Sequence, residues 1–229
     1  MLLSHPCHRT RALRDQAEQY AAAWSAFERL ERVAPHRAQW AAWAAGRGPH
    51  TLLMTLVREP GVIERVCDVQ RALLGVRGLE LHAPHFFHIS LQTCGFSNEL
   101  PFDRDRLRDA VAAVQPFEVA LGSVNAFHSA VFLETHSGGG LLRLRHALRR
   151  ALGPELMPLD PFSDFLFHLT IGYFGAETAI DAVRERLRPL RERETARLRV
   201  DQVALVQLPT DQREPFPVLE CVARFTLGA

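Results

Sequence analysis

Two short tracts carry side chains whose types and spacing can do chemistry together: Phe86-Phe87-His88-Ile89-Ser90-Leu91 and Leu166-Phe167-His168-Leu169-Thr170-Ile171-Gly172-Tyr173. Each reads as an apolar strand with an imidazole and a hydroxyl two residues apart. Side chains alternate across a strand, so His88 and Ser90 share one face while Phe87, Ile89 and Leu91 line the other. His168 and Thr170 share a face in the same way, backed by Phe167, Leu169 and Ile171. Two histidines suit phosphodiester cleavage. A neutral imidazole takes the proton from the attacking water or hydroxyl and an imidazolium returns one to the leaving oxygen, each near its working range because the unperturbed pKa is about 6.5. Ser90 and Thr170 can donate hydrogen bonds to the non-bridging oxygens, which orients the phosphorus and stabilises charge there. Either histidine can be the acid, depending on how the substrate lies. One such triplet among eleven histidines is a weak signal. Two, at matching points of a repeated unit, are a much stronger one.

The elements that must hold these tracts follow from periodicity. Leu13, Ala17, Tyr20, Trp24, Phe27 and Leu30 recur at steps of three and four and predict an amphipathic helix, with a second short helix over His36 to Ala45. From Thr51 the pattern becomes strand and helix: strands over 51–57 and 86–93, with a helix over 62–74 between them. A helix over 103–114, strands over 117–121 and 130–135, a helix after Ser137-Gly138-Gly139-Gly140 and a strand over 165–174 come next. A helix over 179–193 and strands over 202–208 and 218–225 close the chain. Residues 51–93 and 130–173 each run strand, helix, strand with a motif in the second strand, which predicts two lobes related by a pseudo-twofold axis. The lobes should bring His88 and His168 within about 12 Å of each other, close enough to act on one phosphate.

With the motifs and this order of elements in hand, the chain resembles the two-histidine phosphoesterase superfamily, in particular its 2′-5′ RNA ligase-like and cyclic phosphodiesterase-like members. His88-Ile89-Ser90-Leu91 and His168-Leu169-Thr170-Ile171-Gly172-Tyr173-Phe174 carry the resemblance, with Ser90 where threonine is commoner. It implies an α+β fold of two antiparallel lobes with outer helices around a central cleft, over residues 49–229, with residues 1–48 as an N-terminal helical extension. It also implies activity on 2′,3′-cyclic phosphates or 2′,5′-linked nucleotides without a metal or other cofactor. A non-catalytic nucleotide-binding module using the same cleft, and RNA ligation as the reverse reaction, are the alternatives. A bell-shaped pH profile separates an enzyme from a binder.

Composition bounds the partners. The 229 residues carry a net charge of +1 and 47% hydrophobic residues, globular composition that argues against a binder of long duplex DNA. A nucleotide or short RNA end is the expected partner, with no membrane contact, since no apolar run approaches a membrane span. No signal-type apolar stretch follows Met1, and the four cysteines form no C-x-x-C pair, so a cytoplasmic protein is expected. Lysine is absent, which excludes a Walker A loop and a lysine nucleophile.

The remaining features have blander readings. His5, His8, Cys7, His82 and His85 match no metal-ligand spacing and are expected in loops. The 137–140 loop is read as a turn rather than an anion cradle. Arg143, Arg145, Arg149 and Arg150 are expected on a solvated helix face, or as a guide for RNA. The interleaved Arg and Glu of 184–197 are expected to pair with one another. By strand parity Gln92, Phe86 and Phe174 fall on the motif faces and are candidate substrate contacts.

Overall fold

The structure, a computed structural model, describes residues 6–37, 40–41, 45, 48–96, 103–153, 165–192, 195–209 and 219–229, with backbone alone for 6–15. The proline-punctuated loop before Phe165, the Cys7 side chain and part of the expected second helix lie outside the described residues; His36, Arg37, Trp40 and Ala41 are helical.

Helix α1 (Pro6–Glu28) leads into the two-residue strand β1 (Arg32–Val33), and β2 (His50–Leu56), α2 (Pro60–Ala72), β3 (Leu79–Leu81) and β4 (His88–Phe96) follow. Then come α3 (Arg104–Ala112), β5 (Phe117–Ala126), β6 (Ala130–His136), α4 (Gly140–Leu152) and β7 (His168–Phe174). The chain ends with β8 (Thr178–Ala179), α5 (Asp181–Leu187), β9 (Ala196–Val200), β10 (Gln202–Leu208) and β11 (Glu220–Thr226). The boundaries have local causes. Pro60 opens α2 after an extended Glu59, where its missing N–H costs nothing. The Asp103 carboxylate caps α3 by accepting from the Arg106 N–H at 2.9 Å. Gly139, at φ +87°, turns the chain into α4 in a conformation other residues resist. Pro189 ends α5 earlier than the periodicity suggests, giving a 3₁₀ turn over 188–190.

The main sheet is antiparallel, in the order β11-β10-β2-β4-β7-β6-β5-β9, with β3 added against β7. It divides into two four-stranded lobes at the β4–β7 seam, where Ile89 pairs with Leu169. The motif strands are therefore the central neighbours, as the pseudo-twofold reading requires. Helices and the inward sides of the strands enclose one core, including Leu53, Ile89, Leu91, Leu133, Leu144, Phe167, Leu169 and Ile171. A smaller cluster of Leu52, Met54, Phe86, Ala204, Val206 and Leu208 lies on the other side of β2 and β10. Phe27 and Val33 tie the N-terminal segment into the main core.

Several expectations change. β4 starts at His88 rather than Phe86, because Pro84–Phe86 form a 3₁₀ turn closed by the Phe86 N–H on Ala83 O at 2.9 Å. β9 was hidden in the charged run, yet Leu198 and Val200 alternate with Arg197 and Arg199 as in any edge strand. Among the described residues, four arginines of that run form ion pairs that reach outside it: Arg184 with Asp181 (2.8 Å), Arg188 with Glu28 (3.5 Å), Arg191 with Glu134 (3.7 Å) and Arg197 with Glu118 (4.0 Å). Arg145, expected in solvent, is buried.

Candidate functional site

The single seam pairing of Ile89 with Leu169 sets the geometry of the motif residues. In antiparallel register it puts His88 beside Thr170 and Ser90 beside His168, so the histidines are diagonal neighbours with side chains about 7–8 Å apart. The structure thus brings His88, Ser90, His168 and Thr170 together on one face.

Each imidazole is held in the same way. His88 Nδ1 lies 2.7 Å from Phe86 O, and His168 Nδ1 lies 2.8 Å from Leu166 O. A carbonyl only accepts, so each Nδ1–H donates, and each neutral ring keeps its lone pair on Nε2. Aromatic rings flank both histidines: Phe86 stands edge-on to His88 at 5.3 Å, and Phe127 and Phe132 approach His168 at 5.2 and 5.1 Å. Burial pushes His88 down to about 4, against the pull of the Phe86 carbonyl and with a further push from His168. Burial also lowers His168, its Leu166 carbonyl opposing. Both rings are therefore held further toward the neutral form than an unperturbed imidazole would be.

Both motif strands carry a bulge just past the hydroxyl. Opposite β2, Met54 pairs with Ser90 and Leu53 with Gln92, leaving Leu91 over. Opposite β6, Phe132 pairs with Thr170 and Val131 with Gly172, leaving Ile171 over. A bulge reverses the parity beyond it, which corrects two expectations. Gln92 lies opposite the core residue Leu53, is buried, and donates its amide to Thr93 O at 2.8 Å. Phe174 lies in the main core, fully buried. Phe86, in its 3₁₀ turn, is buried against His82 and His88 instead of presenting a strand face.

The same reversal brings Tyr173 to the site, where alternation alone would not put it. Its phenol neighbours the Thr170 hydroxyl; burial raises its pKa to about 12 against the downward pull of that hydroxyl, so it keeps its proton at neutral pH. His36 stacks on the Tyr173 ring at 3.7 Å, and His82 meets it edge-on at 4.5 Å. His82 is buried behind the site, where burial and the neighbouring His88 and His36 hold its pKa well below normal.

Buried polar side chains lock the two bulges crosswise. Arg145, on the helix of the second repeat, donates through Nε to Leu91 O at 3.0 Å. Gln70, on the helix of the first, donates through Nε2 to Ile171 O at 2.9 Å and to His82 O at 2.8 Å. Each repeat's helix thus fixes the bulge next to the other repeat's hydroxyl. Tyr20 of α1 adds a third tie: its hydroxyl donates to Phe167 O at 2.6 Å and accepts from the Thr135 N–H at 3.0 Å, next to His168. A polar residue at a core position of an apolar helix stripe, as Gln70 and Arg145 both are, was the available sequence signal for these ties.

Among the described residues no group of three His, Cys, Asp or Glu is placed to hold a metal, and no helix is long and apolar enough to cross a membrane.

Comparison with known proteins agrees with the geometry. The family model of the 2′-5′ RNA ligase superfamily matches residues 59–212, more than half of the chain. No curated protein matches it in sequence. Among solved structures, TT0787 of Thermus thermophilus is similar at 19% identity and a TM-score of 0.62, over 79% of this chain and 98% of that one. E. coli LigT in its apo form is similar at 14% identity and a TM-score of 0.59, over 80% of this chain and 99% of that one. A protein described as a phosphoesterase is similar at 16% identity and a TM-score of 0.56, over 79% and 99%.

Proposed function

The chain belongs to the 2′-5′ RNA ligase superfamily, and from that premise we propose that it is a metal-independent phosphodiesterase acting on a 2′,3′-cyclic phosphate or a 2′,5′-linked nucleotide end. The observation that carries this reading is the matched pair of tethers: two imidazoles on adjacent strands, each with Nδ1–H on a backbone carbonyl and Nε2 left for chemistry.

In the proposed reaction the substrate phosphate lies between the two Nε2 atoms. One histidine takes a proton from water as the oxygen attacks phosphorus in line; the other gives a proton to the departing ribose oxygen, and the product is a phosphomonoester. The Ser90 and Thr170 hydroxyls donate to the non-bridging oxygens. Since Tyr173 keeps its proton, its phenol can donate to the Thr170 oxygen, leaving the threonine proton for the phosphate. Burial shifts both imidazoles toward the neutral form, so the acid is made on binding: the phosphate anion supplies the opposite charge that favours imidazolium. LigT has been crystallised with phosphate and with 3′-AMP, which supports a nucleotide phosphate as the ligand class.

The test is turnover of a panel of 2′,3′-cyclic nucleotides and 2′,5′-linked dinucleotides in EDTA, scored by the phosphomonoester formed. Hydrolysis of at least one substrate is expected; absence of turnover across the panel leaves a binding module.

A further inference from the structure

Beside the site lies a cavity of about 190 Å³ whose walls include Leu56, Arg58, Arg199, Gln202 and Arg224. Leu56 is directly opposite His88 in the β2–β4 register, so one side of the cavity begins a single side-chain neighbour away from the reacting imidazole. Its polar wall is cationic on balance, with three arginines against Glu59 and Asp201. The Glu59 carboxylate is already engaged, accepting from the Arg199 backbone N–H at 3.1 Å. Among the described residues none of the Arg58, Arg199 and Arg224 guanidiniums has an ion-pair or hydrogen-bond partner, whereas Arg184, Arg188 and Arg191 are each matched to a carboxylate. Unmatched guanidiniums around a concavity favour an anion, and their planar forks suit phosphate oxygens.

We propose that this cavity is a second phosphate subsite, taking the phosphate one nucleotide removed from the one held between His88 and His168. The inference rests on the proposed function and deepens it by assigning the substrate class: a nucleotide chain or bisphosphate rather than a lone cyclic mononucleotide. The scale agrees. One or two strand spacings separate the cavity from His88, roughly 5–10 Å, a distance adjacent phosphates of one chain can span.

The experiment measures dissociation constants for a nucleoside 3′-monophosphate, the 3′,5′-bisphosphate of the same nucleoside and a 3′-phosphorylated dinucleotide. The proteins are the wild type, R58Q, R199Q, R224Q and the triple variant, each checked by thermal unfolding. The wild type should bind one or both of the two-phosphate ligands about tenfold more tightly than the monophosphate. That ratio should fall toward one in the triple variant and persist in H88Q. A gain for the bisphosphate alone marks a terminal phosphate as the occupant, and a gain for the dinucleotide marks an internal phosphodiester; either supports the subsite. No preference in the wild type, or a preference that survives in the triple variant, overturns it. Failure of the function itself would appear separately, as absence of cyclic-nucleotide turnover by the wild type.

Discussion

At the residue, the proposed chemistry turns on how two imidazoles that burial shifts toward the neutral form become an acid and a base. Burial holds His88 at about 4 and lowers His168 as well, so the free protein at neutral pH has little imidazolium to give. A phosphate anion a few ångströms away should raise that pKa by about one to three pH steps. Following the His88 ring by NMR across pH should give a midpoint near 4 in the free protein and a higher one with inorganic phosphate; an unchanged midpoint would remove the proposed origin of the acid. Tyr173→Phe tests the partner of Thr170. It should lower kcat about 3- to 10-fold, and combining it with Thr170→Ala should cost little more than Thr170→Ala alone, because the two groups form one hydrogen-bonded unit. Additive losses in the double variant would mean that the phenol acts independently of Thr170.

Among the elements, the two bulges and their ties do most to aim the site. Gln70→Met and Arg145→Met keep bulk but withdraw the donors from Ile171 O and Leu91 O, so each should cost about 1–3 kcal/mol in denaturant unfolding. Each should also reduce turnover, since the hydroxyl beside the bulge loses its register. Stability and turnover both equal to wild type would show that the bulges hold themselves. The strands themselves were legible because Leu52 to Leu56 form a short, mostly apolar run of strand length and His168, Leu169 and Thr170 alternate polar and apolar. The bulges were not, since inserting one residue at Leu91 or Ile171 leaves no local composition signal and shows only against the partner strand. That is why Tyr173 was missed while Gln92 and Phe174 were expected at the site. The short strands β1, β3 and β8 depend on pairing with distant segments and have too few residues for a period to appear.

Across the whole molecule, several histidines are folded in as neutral groups, and their protonation opposes the fold. His36, His50 and His88 are all lowered to about 4, chiefly by burial. The unfolded chain binds these protons first as pH falls below about 6.5, so their contribution is full above that value and is lost as pH drops through about 4. For well-buried His50 the loss is on the order of 3 kcal/mol. Unfolding free energy should therefore fall between about pH 6.5 and 4, and His50→Gln should flatten part of the slope; a flat profile would contradict the burial. The paired lobes were legible in the repeat and the family resemblance, and the shared face of each histidine and hydroxyl in strand alternation, whereas the crosswise ties needed the folded chain. The central claim concerns that face as a working unit. It is tested most directly by turnover of a 2′,3′-cyclic nucleotide in EDTA by the wild type, His88→Gln and His168→Gln. The predicted result is wild-type activity unaffected by EDTA and a loss of about 100-fold or more in each variant; full activity in either variant, or loss of wild-type activity in EDTA, would contradict the account.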